Sequence, residues 1–254
     1  MKSNLSLYEA FISEKGGDPL RITNFVSPNS NRVVVDMVLI QQALALGGLK
    51  NPLEFYAMPN PARAEAEVKV GRAVILGFET WSINFDDSMY MSDEIIGPGE
   101  FVKVVVGRAD NERLMHVRTL NGLRKFSAIT GHRWPIDQKT LMNMGISKIM
   151  PVARYNLQIA MLQKQRADFG LMEYPNAKND LPEDLAVVPG IVVGLDGSRH
   201  FMVSKSHRDG YWVFKALNKG LAQLKEQGVF RKAYIECGFI SPKLDSWKKL
   251  NPEQ

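Results

Sequence analysis

Polar and aromatic side chains follow most of the predicted strands of this 254-residue chain. Because ligands of open parallel sheets sit at the carboxyl ends of strands, beside helix N-termini, these side chains are candidates for binding a small molecule. Trp81 and Trp134 are suited to line a binding site, or alternatively to pack under a loop. Arg133 follows a Thr-Gly turn ahead of a predicted helix start, where it can bind an anion or remain solvated. The candidate ligand-binding residues are Phe25, Ser27, Asn60, Thr80, Trp81, Thr130, Gly131, Arg133, Trp134 and Glu173.

Catalytic and metal-binding patterns are missing from the sequence. The four histidines are dispersed, with neither HxxxH nor HExxH spacing, and the single cysteine, Cys237, lies within the predicted last helix. No GxSxG, P-loop or GxGxxG motif follows a predicted strand. We therefore expect no catalytic residue, no metal and no cofactor.

The charge pattern argues against a nucleic-acid partner. Lys and Arg outnumber Asp and Glu by 32 to 27, giving a net charge of +5, but the basic residues are scattered. The apolar runs are too short to span a bilayer, so we expect no membrane insertion. The N-terminus lacks the apolar core of a secretory leader, which is expected either of a cytosolic protein or of a mature chain whose leader was removed.

The elements that would position the candidate residues alternate between strand and helix, which predicts an α/β fold. In the first part of the chain, helices begin after Asn31 and at Pro61, between predicted strands 19–27, 53–59 and 73–81. In the second part, helices begin at Pro135 and Tyr155. The predicted strands of that part are 101–107, 125–131, 147–152, 167–174, 184–192 and 198–206. Two helices, over 210–230 and 230–239, close the chain.

Four phrases, in this order, resemble the type 2 periplasmic substrate-binding proteins related to amino-acid-binding proteins of ABC transporters. They are PARAEAEVKVGRAVILGFETW, RTLNGLRKFSAITG, YNLQIAMLQKQRADFGLMEY and the segment from His200 to Phe239. The resemblance implies two lobes, each with an open, mostly parallel sheet flanked by helices, joined by two hinge strands. Lobe 1 would be discontinuous, over 1–102 and 204–254, and lobe 2 would be inserted, over 103–203. The ligand would lie in the cleft between the lobes.

The resemblance also implies a function. We expect a monomeric, non-enzymatic, periplasmic protein that captures a small polar ligand, anionic ligands included, and delivers it to a membrane permease complex. Glu173 stands where that family usually pairs an acidic residue with the ligand's amino group. A ligand-sensing or orphan binding module is the alternative, and a cleft enzyme similar to cyclohexadienyl dehydratases is a third possibility.

One departure from that family concerns the ligand's carboxylate. Amino-acid binders of the family carry an arginine soon after the third strand, but residues 79–96 hold no Arg or Lys and five acidic residues. Either another cation, such as Arg133, Arg63 or Arg21, replaces that arginine, or the ligand lacks the group.

Overall fold

The computed structural model describes residues 3–49 and 53–251 of the chain. Its contacts separate two units. Unit 1 comprises the described residues of Met1–Ile96 and Ser198–Ile240, and unit 2 those of Gly97–Gly197 and Ser241–Gln254. The expected lobe boundaries stay a prediction. They differ from these units chiefly in the last residues, 241–251, which pack with unit 2.

The described α-helices are ten segments, of which two have only one turn. In chain order they are α1 Asn4–Glu14, α2 Arg32–Leu46, α3 Pro61–Lys69, α4 Glu112–Met115, α5 Leu120–Leu123, α6 Pro135–Asn143, α7 Tyr155–Gln163, α8 Tyr174–Asp180, α9 Gly210–Glu226 and α10 Val229–Glu236. Short 3₁₀ helices cover Pro19–Arg21, Ser82–Asn84 and Pro242–Ser246.

The described strands are mostly short. They are β1 Thr80–Trp81, β2 Met89–Met91, β3 Val102–Arg108, β4 Ala128–Gly131, β5 Ile149–Val152, β6 Phe169–Met172, β7 Leu185–Gly194, β8 Arg199–His200, β9 Met202–Ser204 and β10 Lys248–Lys249.

Unit 2 contains a six-stranded sheet in the order β10-β7-β3-β6-β4-β5. The pairs β10–β7, β6–β4 and β4–β5 are parallel, whereas β3 is antiparallel to both of its neighbours. Buried aliphatic residues of β3, β4 and β7, such as Val104, Ile129 and Val192, pack with Leu162 of α7. The predicted α/β class and mostly parallel sheet are therefore confirmed in this unit. Helix α8 and strand β10 were not predicted.

Helix α2 forms the centre of unit 1, and its predicted start after Asn31 is confirmed. The Asn31 side chain accepts a hydrogen bond from the Val34 N–H at 3.0 Å, and Gly47 ends the helix. Helix α9 packs so closely on α2 that a Cβ atom on Gly220 would lie 1.8 Å from the Ala43 carbonyl oxygen. Glycine at position 220 is therefore required by the approach of the two helix backbones.

The three strands predicted for the first part of the chain are wrong as elements of a parallel sheet. Segment 19–27 begins with a 3₁₀ turn, because Pro19 lacks an N–H and Asp18 accepts from the Leu20 N–H at 2.9 Å. Segment 53–59 has no ladder partner among the described residues. Of segment 73–81, only β1 and a bridge at Ile75 are paired, and both pairings are antiparallel. Unit 1 thus has two small antiparallel sheets, β1–β8 and β2–β9.

Candidate functional site

Three of the candidate residues in unit 1 have local structural partners. Phe25 is 1% exposed and stacks on Phe11, with ring centroids 6.4 Å apart. The Ser27 hydroxyl donates to Glu14 at 2.6 Å, and Asn60 caps α3 by accepting from the Arg63 N–H at 2.9 Å. These contacts explain why each residue stands at its position, and a role in ligand binding stays a prediction for all three.

The other two unit 1 candidates, Thr80 and Trp81, form β1 next to a fully buried carboxylate, Glu79. Arg199 of β8 donates through Nη1 to both carboxylate oxygens of Glu79, at 2.7 and 2.6 Å. Arg32, the first residue of α2, donates to the same carboxylate at 2.5 Å. Two guanidinium groups therefore share one buried acid.

Aromatic rings cover the two guanidinium groups. The Arg199 guanidinium carbon lies 3.8 Å from the Trp81 ring centroid, and that of Arg32 lies 5.0 Å from the Phe239 ring centroid. Such cation–π contacts gain strength where water is excluded, and the Arg199 side chain is only 7% exposed. Trp81 thus has a cation on its face already, supplied by the chain itself.

Asp36 of α2 completes this group of charges, which we call the Glu79 cluster: Arg32, Asp36, Glu79, Arg199 and Tyr234. The buried Tyr234 hydroxyl donates to Asp36 at 2.7 Å, and the Glu79 N–H donates to its second oxygen at 3.2 Å. Burial, together with the neighbouring Glu79 charge, raises the pKa of Asp36 to about 8. The cluster therefore favours the protonated form of Asp36 next to the ion pairs of Glu79.

Sequence reasoning missed this cluster. Residues 79–96 contain no Arg or Lys of their own. The cations that contact Glu79 come from other elements, Arg32 from α2 and Arg199 from β8. A signal was present in the sequence, because Asp36 interrupts the apolar run Val33–Ile40 with a charge that must find a partner if the helix face is buried.

The arginines suggested as replacements for the missing carboxylate ligand are differently placed. Arg63 pairs with Glu67 at 2.8 Å, and Arg21 pairs with Asp18 at 3.2 Å on the surface. Arg133 is exposed in unit 2 and forms no ion pair with the residues that the structure describes. Of the three, Arg133 is thus the one with its guanidinium available to a ligand.

Unit 2 places four of its candidates around the start of α6, which we define as residues 130–137. Trp134 packs on Gly131 so closely that a Cβ atom there would lie 2.7 Å from the ring. Lys103 of β3 has its Nζ 4.7 Å from the Trp134 ring centroid and 2.6 Å from the Asp137 carboxylate. The Lys103–Asp137 pair is buried, and it fixes the tryptophan between the strand end and the helix.

Two polar groups at the α6 start form no hydrogen bond with a side chain of the described residues. The Thr130 hydroxyl is buried and makes no hydrogen bond within the described structure. The N-terminus of α6 receives no side-chain cap, so its first N–H groups are not satisfied in that way. A helix of this length with an uncapped start, preceded by Arg133, is suited to an anionic group.

Glu173 lies at the end of β6, directly before the short helix α8. Its side chain is half-buried and has no hydrogen bond or ion pair with any described residue. A carboxylate in that setting is suited to a cationic group.

Residues 3–49 and 53–251 contain no group of three or more His, Cys, Asp and Glu side chains that could hold a metal ion. None of the helices described there is long and apolar enough to cross a membrane.

Comparison with solved structures gives extensive similarity at low sequence identity. An ancestral arginine-binding protein bound to arginine is 15% identical, with a TM-score of 0.53 over 87% of this chain and 94% of that one. The second substrate-binding domain of a putative amino-acid ABC transporter from Streptococcus pneumoniae is 16% identical, with a TM-score of 0.56 over 86% and 94%. The chain has the fold of a type 2 periplasmic binding protein. The expected fold is thereby confirmed.

A periplasmic VFT domain is also similar in fold. The periplasmic VFT2 domain of Bordetella pertussis BvgS is 12% identical, with a TM-score of 0.54 over 80% of this chain and 81% of that one. Neither a protein-family model nor a curated protein sequence matches the chain.

Proposed function

We propose that the protein is a substrate-binding protein that captures a small polar ligand carrying a carboxylate or another anionic group. The observation that carries this proposal is the α6 start, with its uncapped helix N-terminus and the unpaired Arg133 before it. Backbone N–H groups and a guanidinium together form the donor set that a carboxylate accepts from.

The unpaired Glu173 extends the proposal to a ligand that also bears a cationic group. A carboxylate that is half-buried without a partner gains from pairing with an ammonium or guanidinium group. An amino acid combines both charges, and the similar folds include proteins bound to arginine. We therefore place amino acids and their derivatives first among the ligands to test.

The proposed role in ligand capture also implies a location, an oligomeric state and a partner. Capture for an ABC-type importer places the protein in the periplasm, where it acts as a monomer that delivers its ligand to a permease complex without converting it. Turnover of a bound ligand, prephenate included, would instead favour the enzyme alternative.

A ligand-sensing or orphan module is the second candidate, and one observation favours it. The Trp81 face and the Glu79 carboxylate, which suit a ligand cation, already hold the chain's own Arg199. Because Arg199 occupies this cation site, a ligand cation cannot bind there. The protein would then keep the fold without tight ligand capture.

A thermal-shift screen against amino acids, organic acids, sugars, phosphonates, polyamines and prephenate tests the proposal. A true ligand at one hundred times its Kd adds about 2.7 kcal/mol to the free energy of unfolding. A rise in Tm that depends on the concentration of a carboxylate ligand would support capture. A flat screen would favour the orphan module.

The variant Arg133→Gln then locates the site. We expect its Kd for the ligand found by the screen to rise about tenfold or more, because a charge-assisted hydrogen bond is lost. Arg166→Gln is the matched control, since Arg166 is another exposed arginine of unit 2. Equal affinities in both variants would contradict the α6 start as the binding site.

A further inference from the structure

The first turns of α9 carry an exposed aromatic surface that the proposed function does not use. Trp212 is 67% exposed and Tyr211 is 47% exposed, although both are large rings that proteins usually cover. We call the group to which they belong the α9 patch. Its members are Tyr90, Lys205, Tyr211, Trp212, Phe214 and Lys215.

The α9 patch is continuous, because each ring contacts the next. Tyr90 of β2 stacks on Phe214 with centroids 4.7 Å apart, and it meets the edge of Tyr211 at 6.4 Å. Tyr211 in turn meets Trp212 at 5.2 Å. The rings support one another laterally, so their outward exposure is a feature of the packed structure.

The opposite face of α9 prevents these rings from turning inward. Val213, Leu217, Leu221 and Leu224 are buried on that face, and α9 lies against α2 with almost no space between their backbones. Rotating α9 to bury Trp212 would expose this row of aliphatic residues. The described residues of unit 1 therefore leave the patch uncovered.

Lysines flank the rings. The Lys205 ammonium lies 5.3 Å from the Tyr90 ring centroid, and that of Lys215 lies 5.8 Å from the Tyr211 ring centroid. Arg208 is also exposed, with Asp209 as its ion-pair partner at 3.4 Å. Lys205 and Lys215 have no carboxylate partner among the described residues. The patch thus combines aromatic area with uncompensated positive charge.

From this combination we infer that the α9 patch adsorbs to an anionic lipid surface, with the rings at headgroup level and the lysines against lipid phosphates. Trp and Tyr with flanking Lys is the composition found at membrane–water interfaces. Interfaces between proteins also favour Trp and Tyr but are depleted in Lys, so the lysines favour lipid over a protein partner. The adsorption is peripheral, requires no membrane-spanning segment and is independent of ligand identity.

Vesicle flotation tests the inference with the full chain. The probes are vesicles of phosphatidylcholine alone and of phosphatidylcholine with phosphatidylglycerol, at low and high salt. We expect binding only to the anionic vesicles, and weakening as salt screens the charges. No binding to either vesicle would overturn the inference.

Two variants assign the binding to the patch. Lys205→Gln with Lys215→Gln should lower partitioning about 25-fold, because each charge near an anionic surface contributes about a factor of five. Trp212→Ser should also lower it and, at an exposed position, leave Tm unchanged. Lys139→Gln with Lys164→Gln is the charge-matched control on unit 2 and should bind as the parent chain does.

Other outcomes count against the lipid surface. An equal loss in the control pair would show only a general basic attraction and would overturn the patch assignment. Patch variants that bind vesicles normally but no longer associate with another protein, or with a second copy of the chain, would likewise overturn it.

Discussion

The two units handle charge in opposite ways. In unit 1, the Glu79 cluster buries the Arg199 guanidinium and the carboxyl groups of Asp36 and Glu79, and each contacts another member of the cluster. In unit 2, the buried pair Lys103–Asp137 is likewise satisfied, but Arg133 and Glu173 beside it have no partner among the described residues. The comparison teaches that charge at a strand end has two uses. One is to hold elements together, and the other is to remain available to a ligand.

The largest expected effect is a loss of stability when the buried acid of unit 1 is removed. Glu79→Gln removes the acid that two guanidinium groups share, leaving the buried Arg199 charge without its carboxylate partner. Breaking a buried pair on one side costs about 3–5 kcal/mol, and we expect a loss in the free energy of unfolding of that size. Urea denaturation at pH 7 measures it.

The matched control for Glu79→Gln is Asp110→Asn. Asp110 also pairs with an arginine, Arg108, but its side chain is 62% exposed, so water replaces the lost partner. We expect a far smaller loss there. Equal losses in the two variants would mean that the Glu79 cluster contributes no more than a surface pair.

The next effect concerns the pH dependence of unit 1. Because the pKa of Asp36 is raised to about 8, the folded chain holds a proton between about pH 4 and pH 8 that the unfolded chain has released. Stability from this group is therefore present in full below pH 4 and is lost as the pH rises through 8. Between these two pH values we expect the free energy of unfolding to fall by about 1.4 kcal/mol per pH unit.

Asp36→Asn should remove that slope, since an amide stays neutral throughout. Denaturation at pH 5.5, 6.5 and 7.5 measures the difference in stability between the variant and the parent chain. Asp110→Asn should leave the slope unchanged, because Arg108 lowers the pKa of Asp110 and the carboxyl is ionised in both states over this range. A difference between Asp36→Asn and the parent chain that is constant with pH would contradict the raised pKa.

The elements that sequence predicts well are those whose signals are local. Helix α2 runs from Arg32 to Leu46 because the Asn31 side chain caps its start and Gly48, with φ at 99°, follows its end. The predicted strands of unit 2 pair because each meets an extended neighbour. Segments 19–27 and 53–59 are just as apolar, but whether they pair depends on neighbours that local patterns do not specify.

The Glu79 cluster was beyond sequence reasoning for a related physical reason. Arg199 and Glu79 are 120 residues apart, and their pairing depends on β8 lying beside β1. The α6 start was predictable, since Thr130, Gly131, Arg133 and Trp134 are adjacent in sequence and follow a strand. What sequence could not tell was that Trp134 covers Gly131 and that Lys103 holds it there.

The smallest expected effect tests whether the free polar groups of unit 2 are kept for a ligand. Thr130 and Thr140 are both buried, but only Thr140 has a partner, accepting from the Asp196 N–H at 2.9 Å. Thr130→Val replaces an unpartnered hydroxyl with a methyl group of similar volume, so stability should be unchanged or slightly higher. Thr140→Val leaves the Asp196 N–H without its acceptor and should cost about 1–2 kcal/mol.

Ligand affinity then decides the meaning of Thr130. If the hydroxyl is reserved for a ligand, Thr130→Val weakens binding while the protein is no less stable, a combination that a purely structural residue does not give. Calorimetric titration with the ligand from the thermal-shift screen, beside urea denaturation of both variants, makes the comparison. Unchanged affinity would assign the unsatisfied hydroxyl to the interior of unit 2 and leave Arg133 and the helix N-terminus as the groups that bind the anion.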